Sequence, residues 1–273
     1  MYRTIPKLAL LTLLGLLLLV PFAEAQKKKK KPPQPQNPPT QEEQAAPPPS
    51  NEPAPPEVAA VDRKLWEYKT GEARAALDPV AGRAESNAGV AAALGRVLDQ
   101  EKNYGEAASR LRKASELAPS DPAPQVYLGE VYLHSKSGDA DAAFRKAAEL
   151  AQAQGGRSGD YYLGVAQQRL RQYDEAVASL ERARGADPGN ALIPYQIGVT
   201  RAFQEQWQPA LDNLNKALEM DSGLAYAYYY RGLAAEKLGR KDLLINDMER
   251  FVALAPNAPD AERAKAILRA AKR

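Results

Sequence analysis

The stretch IGVTRAFQEQWQPALDNLNKALEM, residues 197–220, contains the pattern that decides the fold of this chain. Gly198 is followed after twelve residues by Ala210, and Ala210 is followed after four by Leu214. Residues three and four apart lie on the same face of a helix, so small and large apolar side chains share one face here. The stretch therefore predicts two short helices that pack closely, with the glycine at the point of nearest approach.

The same pattern recurs along the chain at a nearly constant period. Five equivalent glycines are separated by 34, 35, 34 and 34 residues, at Gly95, Gly129, Gly164, Gly198 and Gly232. Self-similarity at about 34 residues is typical of helix–turn–helix solenoids. Prolines stand where a second helix must stop, at Pro119, Pro188 and Pro256. The period thus predicts a stack of helix pairs.

These residues resemble the tetratricopeptide repeat over roughly residues 54–256. The resemblance implies an all-α fold: a right-handed superhelical solenoid of tandem helix–turn–helix repeats with a C-terminal capping helix. We expect about six units in residues 58–256, the first of them degenerate because Pro79 interrupts its second helix. Residues 257–273 are expected to form the capping helix, since terminal units must cover one apolar side of the stack.

Residues 1–25 have the pattern of a secretory signal peptide. Arg3 and Lys7 make a basic start, residues 8–20 are mainly apolar, and residues 23–25 form an A-x-A cleavage site. The apolar stretch is shorter than the about 20 residues that a membrane-spanning helix needs. We therefore expect cleavage before Gln26 and export to the periplasm or cell envelope.

Residues 26–57 combine a lysine run with a proline-rich segment, and we expect a disordered linker there. Five lysines occupy 27–31 and eleven prolines lie in 32–57, a composition from which no core can be built. The run Lys27–Lys31 is either a solvated tract or makes weak electrostatic contact with an anionic membrane or wall. Basic residues beside an apolar segment prefer the cytoplasmic side, so an uncleaved anchor facing the cytoplasm stays an alternative.

The residues that carry enzyme chemistry are scarce in this sequence. His134 is the single histidine, cysteine is absent, and no nucleotide-binding or nucleophile motif appears. We expect no catalytic residue, no metal site and no cofactor. From residue 58 onward the chain carries 30 basic and 29 acidic residues, a balance that does not favour nucleic acid as a partner.

A binding surface is expected from the resemblance instead, because the first helix of each tetratricopeptide unit lines a concave groove. The positions that face this groove, three residues before each glycine and shortly after it, are rich in tyrosine. The predicted groove residues are Val126, Tyr161, Arg169, Tyr195, Phe203, Tyr226 and Tyr229. Tyrosine offers a large rigid contact area with a polar tip. The alternative is that these tyrosines pack between neighbouring first helices.

The expected ligand is a protein or peptide. Some relatives grip a terminal carboxylate with a Lys/Asn/Arg clamp that the matching positions here lack, so we expect an apolar or proline-bearing segment or an amphipathic helix. The sequence thus predicts a non-enzymatic protein–protein interaction scaffold or adaptor in the cell envelope. Two alternatives are a self-assembling structural envelope protein and the same module on an uncleaved anchor.

Overall fold

The computed structural model describes residues 53–273, which form thirteen α-helices, one short 3₁₀ helix and no strand. The expected all-α helical repeat solenoid is confirmed. The helices are α1 (Pro56–Trp66), α2 (Thr70–Leu77), the 3₁₀ helix (Ala81–Glu85), α3 (Ala88–Gln100), α4 (Tyr104–Leu117), α5 (Ala123–His134), α6 (Ala140–Gln154), α7 (Gly156–Arg169), α8 (Tyr173–Ala186), α9 (Leu192–Phe203), α10 (Trp207–Met220), α11 (Ala225–Lys237), α12 (Lys241–Leu254) and α13 (Ala261–Ala271).

Twelve of these helices form six consecutive pairs, α1 with α2 through α11 with α12, and α13 packs on α12. Each second helix also packs against the first helix of the next pair. First helices of neighbouring pairs are also in contact; for example, α3 contacts α5, and α5 contacts α7. The first helices therefore stand side by side along one face of the stack, which is the arrangement that builds a groove.

The turn inside each pair has the same hydrogen-bonded form. In the pair α9–α10, for example, the Gln206 N–H donates to the Arg201 carbonyl at 2.9 Å, across a residue with positive φ. This is the bond of the Schellman motif, which closes a helix with one left-handed residue. The left-handed residues of the six pairs are Tyr68, Lys102, Lys136, Arg171, Glu205 and Gly239. Five of the six are not glycine, so the tertiary packing holds a backbone conformation that these residues disfavour.

The repeated glycines lie where the two helices of a pair approach most closely. A Cβ atom placed on Gly198 would stand 2.6 Å from Leu214 Cγ and 3.1 Å from the Ala210 carbonyl oxygen. Leu214 is fully buried, so its side chain has no free space to retreat into. In the pair α5–α6 the ring of Phe144 replaces the leucine and lies 2.5 Å from the corresponding atom on Gly129.

The two ends of the array differ from its middle. Helix α2 stops at Leu77, two residues before Pro79, and the 3₁₀ helix continues the chain to α3. At the other end, Tyr226 and Tyr229 donate their hydroxyl protons to Asp260 at 3.0 and 3.1 Å, which fixes the start of α13 against α11. Helix α13 packs on α12 and buries Ala261 and Ala264.

The predicted signal peptide, the lysine run and most of the predicted proline-rich linker lie outside the described residues. Within residues 53–273, no helix is long and apolar enough to cross a membrane.

Candidate functional site

A concave groove with a volume of about 820 Å³ runs along the first helices of all six pairs. Such a volume is in the range of ligand pockets in proteins. Its lining is unusually aromatic, and the rings come from α1, the turn after it, α5, α7, α9 and α11. The aromatic lining residues are Trp66, Tyr68, Tyr127, Tyr161, Tyr162, Tyr195, Tyr226 and Tyr230.

Three of these tyrosines form a connected group in the middle of the groove. The rings of Tyr127 and Tyr162 are 6.5 Å apart and nearly perpendicular, with their hydroxyl oxygens 3.4 Å apart. Tyr161 meets Tyr162 edge to face, with ring centres 5.2 Å apart. Helices α5 and α7 position the group, because Tyr127 lies two residues before Gly129 and Tyr162 two before Gly164. The group presents both ring surface and hydroxyls to a ligand.

Two of the three arginines that line the groove are paired with carboxylates on neighbouring first helices. Arg169 on α7 donates from Nε to Glu130 on α5 at 2.6 Å. Arg96 on α3 is bonded to Asp62 on α1, and its guanidinium lies 4.5 Å from the ring centre of Tyr127. These two pairs connect successive repeats, whereas the third arginine of the lining, Arg157 in the first turn of α7, is exposed.

Burial and pairing shift the pKa values of these groups. Burial alone would lower the pKa of Arg96, but Tyr127 and Asp62 outweigh it and raise that pKa overall. Arg169 behaves in the same way, because Glu130 outweighs burial and raises its pKa. For Tyr161, burial is the main cause of a raised pKa. The two arginines therefore stay charged and the tyrosine stays neutral across the physiological range.

His134, at the end of α5, forms a third pair at the groove's edge. Its Nδ1 lies 2.9 Å from both carboxylate oxygens of Asp99 on α3. This hydrogen bond raises the pKa of His134 above its usual 6.5. The histidine thus has the polar surroundings of a surface residue that joins two repeats. Among the described residues, no three His, Cys, Asp or Glu side chains are grouped so that they could hold a metal ion.

Comparison with known proteins gives the fold a name. No protein-family model matches the chain. The structure of a thermophilic TPR protein in Thermus thermophilus superposes with a TM-score of 0.53 at 20% identity, covering 67% of this chain and 97% of that one. This chain folds as a tetratricopeptide-repeat solenoid. The Cut9–Hcn1 hetero-tetramer of APC/C gives a TM-score of 0.55 at 18% identity, covering 79% of this chain and 42% of that one.

One curated protein resembles part of this chain in sequence. Serine/threonine-protein phosphatase 5 of Mus musculus is 26% identical over 123 residues, which are 45% of this chain. The match spans only 23% of the length of that protein. This chain therefore matches about a quarter of the length of that protein.

The tetratricopeptide groove brings together five of the seven predicted site residues, namely Val126, Tyr161, Arg169, Tyr195 and Tyr226. The other two lie outside its lining. Phe203, at the end of α9, is 42% exposed and contacts the rings of Tyr173 and Tyr230.

Tyr229 stands three residues before its glycine, like Tyr195, and both are buried, but only Tyr195 has surface in the groove lining. It packs on Phe251, with ring centres 5.0 Å apart, and donates its hydroxyl proton to Asp260. The last unit is covered by α13, so a position that faces the groove elsewhere is part of the core here.

Sequence reasoning missed several residues of the groove. The position two before the glycine carries Tyr127, Tyr162 and Tyr230, all of which line it. The sequence does carry a signal for these three residues, since tyrosine recurs two residues before the glycine in three of the repeats. Trp66 and Tyr68 also line the groove, and they belong to the first, degenerate pair. The repeat period gives no signal for these two, because their groove contacts come from the far end of the array.

Proposed function

We propose that this protein is a non-enzymatic adaptor that binds a peptide segment of a partner protein in the groove of its tetratricopeptide array. The observation that carries the proposal is the aromatic lining of a preformed cavity of about 820 Å³. Aromatic side chains supply much contact area at little cost in conformational entropy, and they dominate binding energy at protein interfaces. Because the repeats already hold the groove in shape, binding orders few receptor residues.

The chemistry of the groove favours an apolar or proline-bearing segment over an acidic one. Three arginines line the groove. Arg96 and Arg169 are already engaged by Asp62 and Glu130, so a ligand carboxylate would have to displace a protein carboxylate to reach them. Arg157 is exposed, where an ion pair with a ligand adds little. Proline-rich segments, in contrast, dock onto aromatic-lined grooves and lose little entropy, because they are extended before they bind. The hydroxyls of Tyr127 and Tyr162, whose oxygens lie 3.4 Å apart, can exchange this long contact for hydrogen bonds with the peptide backbone.

A selection experiment tests this function even though the partner is unidentified. Random peptides displayed on phage are selected on the immobilised full-length chain, and the best ligand is measured by titration calorimetry. We expect one binding site and a negative heat-capacity change, which marks burial of apolar surface. A photo-crosslinking residue replacing Tyr162 should capture the peptide, whereas one replacing Tyr173, which does not line the groove, should not. Capture at Tyr173 alone would contradict the assignment.

We further propose that the adaptor acts in the cell envelope after removal of residues 1–25. The support is the sequence pattern of a basic start, an apolar stretch and an A-x-A site. Mass spectrometry of the protein purified from fractionated native cells tests the location. An N-terminus at Gln26 in the envelope fraction is the expected result. An intact Met1 in the membrane pellet would replace this proposal with a tethered protein.

A further inference from the structure

The first helix pair reaches across the groove and contacts the last pairs of the array. The indole of Trp66 meets the ring of Tyr195 on α9 edge to face, with ring centres 6.0 Å apart. Tyr68 meets Tyr226 on α11, with ring centres 5.5 Å apart. Trp66 and Tyr68 thereby become part of the hydrophobic clusters of the C-terminal pairs. The two ends of the solenoid therefore touch through aromatic side chains that also line the groove.

A polar contact accompanies the aromatic ones. Arg63 Nη2 lies 3.5 Å from Asp221 Oδ1 in the turn before α11. The arginine side chain is mostly exposed, so this ion pair adds little by itself. Helix α1 packs its backbone on α2 and α3. The two ends are thus joined by two ring contacts, a side-chain hydrogen bond between Tyr68 and Tyr226, and one exposed ion pair.

Tyr68 is the left-handed residue of the first turn, and it is the one aromatic residue among the six turns inside the described pairs. The equivalent left-handed residues are Lys102, Lys136, Arg171, Glu205 and Gly239. A bulky aromatic residue at positive φ is uncommon. Its ring contact with Tyr226 explains why such a residue stands only at the turn that faces the opposite end of the array.

We infer that Trp66 and Tyr68 form an aromatic clasp that holds the groove closed and that a bound peptide must displace. This inference rests on the proposed function, since the clasp covers the same tyrosines that a peptide would contact. The ring of Trp66 contacts that of Tyr195, and the ring of Tyr68 contacts that of Tyr226. Peptide binding and closure therefore compete for the same surface, and the apparent affinity is reduced by the fraction of molecules in which the clasp is closed.

Thiol labelling measures the opening of the clasp without any ligand. The chain has no cysteine, so Val165→Cys places a single thiol in the groove lining, at a residue that is 5% exposed. The full-length variant is labelled with fluorescein maleimide, whose bulk requires an open groove. Adding Trp66→Ala and Tyr68→Ala should speed labelling about tenfold, the size expected from losing two aromatic pair contacts.

Two comparisons separate the clasp from general loosening of the fold. Trp207→Ala removes the other tryptophan, which lies outside the groove lining, and should leave the labelling rate unchanged. Trp66→Phe keeps an aromatic ring and should stay near the parent rate. Equal rates in the parent and in the double alanine variant would overturn the inference. So would an equal acceleration by Trp207→Ala.

Fluorescence gives an independent reading. In a Trp207→Phe background Trp66 is the only tryptophan, and we expect acrylamide to quench it more slowly than in the same protein carrying Tyr195→Ala. Identical quenching in the two proteins would show that the Trp66–Tyr195 contact is absent in solution. Neither thiol labelling nor quenching requires a peptide, so the clasp inference can be rejected while peptide selection succeeds. A failed selection with intact labelling differences would instead reject the proposed function.

Discussion

Replacing Gly198 with alanine should destabilise the array, although alanine is the better helix former. The new Cβ would stand 2.6 Å from Leu214 Cγ and 3.1 Å from the Ala210 carbonyl oxygen. Leu214 is fully buried, and the carbonyl belongs to the backbone of the partner helix, so α9 and α10 must move apart. Overpacking of this kind costs about 1–3 kcal/mol. The gain from removing a helical glycine is about 1 kcal/mol, so we expect a net loss of up to roughly 2 kcal/mol.

The same substitution at Gly185 is a matched control. Gly185 lies in α8, and a Cβ there would meet no atom within 4 Å. Gly185→Ala should therefore stabilise the protein by about 0.5–1 kcal/mol. Urea unfolding followed by helical circular dichroism measures both variants against the parent. The midpoint should fall for Gly198→Ala and rise for Gly185→Ala. A Gly198→Ala midpoint at or above that of the parent would refute the close-approach argument.

Two further predictions concern charged pairs. Asp99→Asn should lower the pKa of His134 toward its usual 6.5, because the carboxylate that raises it is lost. Because the pKa of His134 is raised in the folded parent, the contribution of this contact to stability is fully present below pH 6.5. That contribution is lost as the pH rises through the folded-state pKa. His134 is the chain's single histidine, so its two carbon-bound ring protons can be titrated by NMR without overlap from another imidazole. An unchanged pKa would contradict the pairing. Asp247, 2% exposed, accepts two hydrogen bonds from Arg231 at 2.8 and 2.6 Å, so Asp247→Ala should cost about 3–5 kcal/mol. Asp141→Ala is the control, because it breaks a pair with Arg145 in which both side chains are about two-thirds exposed. It should cost about 1 kcal/mol or less in the same urea assay. Similar losses for the two variants would show that burial does not cause the larger loss expected for Asp247→Ala.

The repeat period predicts the fold because each pair is held by contacts that are close in sequence. Gly198, Ala210 and Leu214 recur in register and meet in the structure as expected. The residues that line the groove are predicted less completely than the fold. Tyr195 and Tyr229 occupy the same register, yet only Tyr195 lines the groove, because α13 and Asp260 cover the other.

Contacts between the ends of the array are beyond a period-based argument. The period does not give the curvature of the stack, and the curvature decides which helices meet across the groove. Trp66 and Tyr68 therefore appear in the sequence as parts of a degenerate first unit, although they line the groove beside the C-terminal pairs. The signal peptide and export remain predictions from residues 1–25.

The central claim is that the tyrosines of the groove bind a peptide, and the affinity of a selected peptide for three proteins tests it most directly. Tyr127→Ala with Tyr162→Ala removes two rings from the middle of the groove. Fluorescence anisotropy should show a Kd at least about thirtyfold higher than the parent's, which corresponds to about 2 kcal/mol. The Tyr→Phe pair at both positions keeps the rings and should lose much less. Equal Kd values for the parent and the alanine variant, with helical circular dichroism unchanged, would contradict the account.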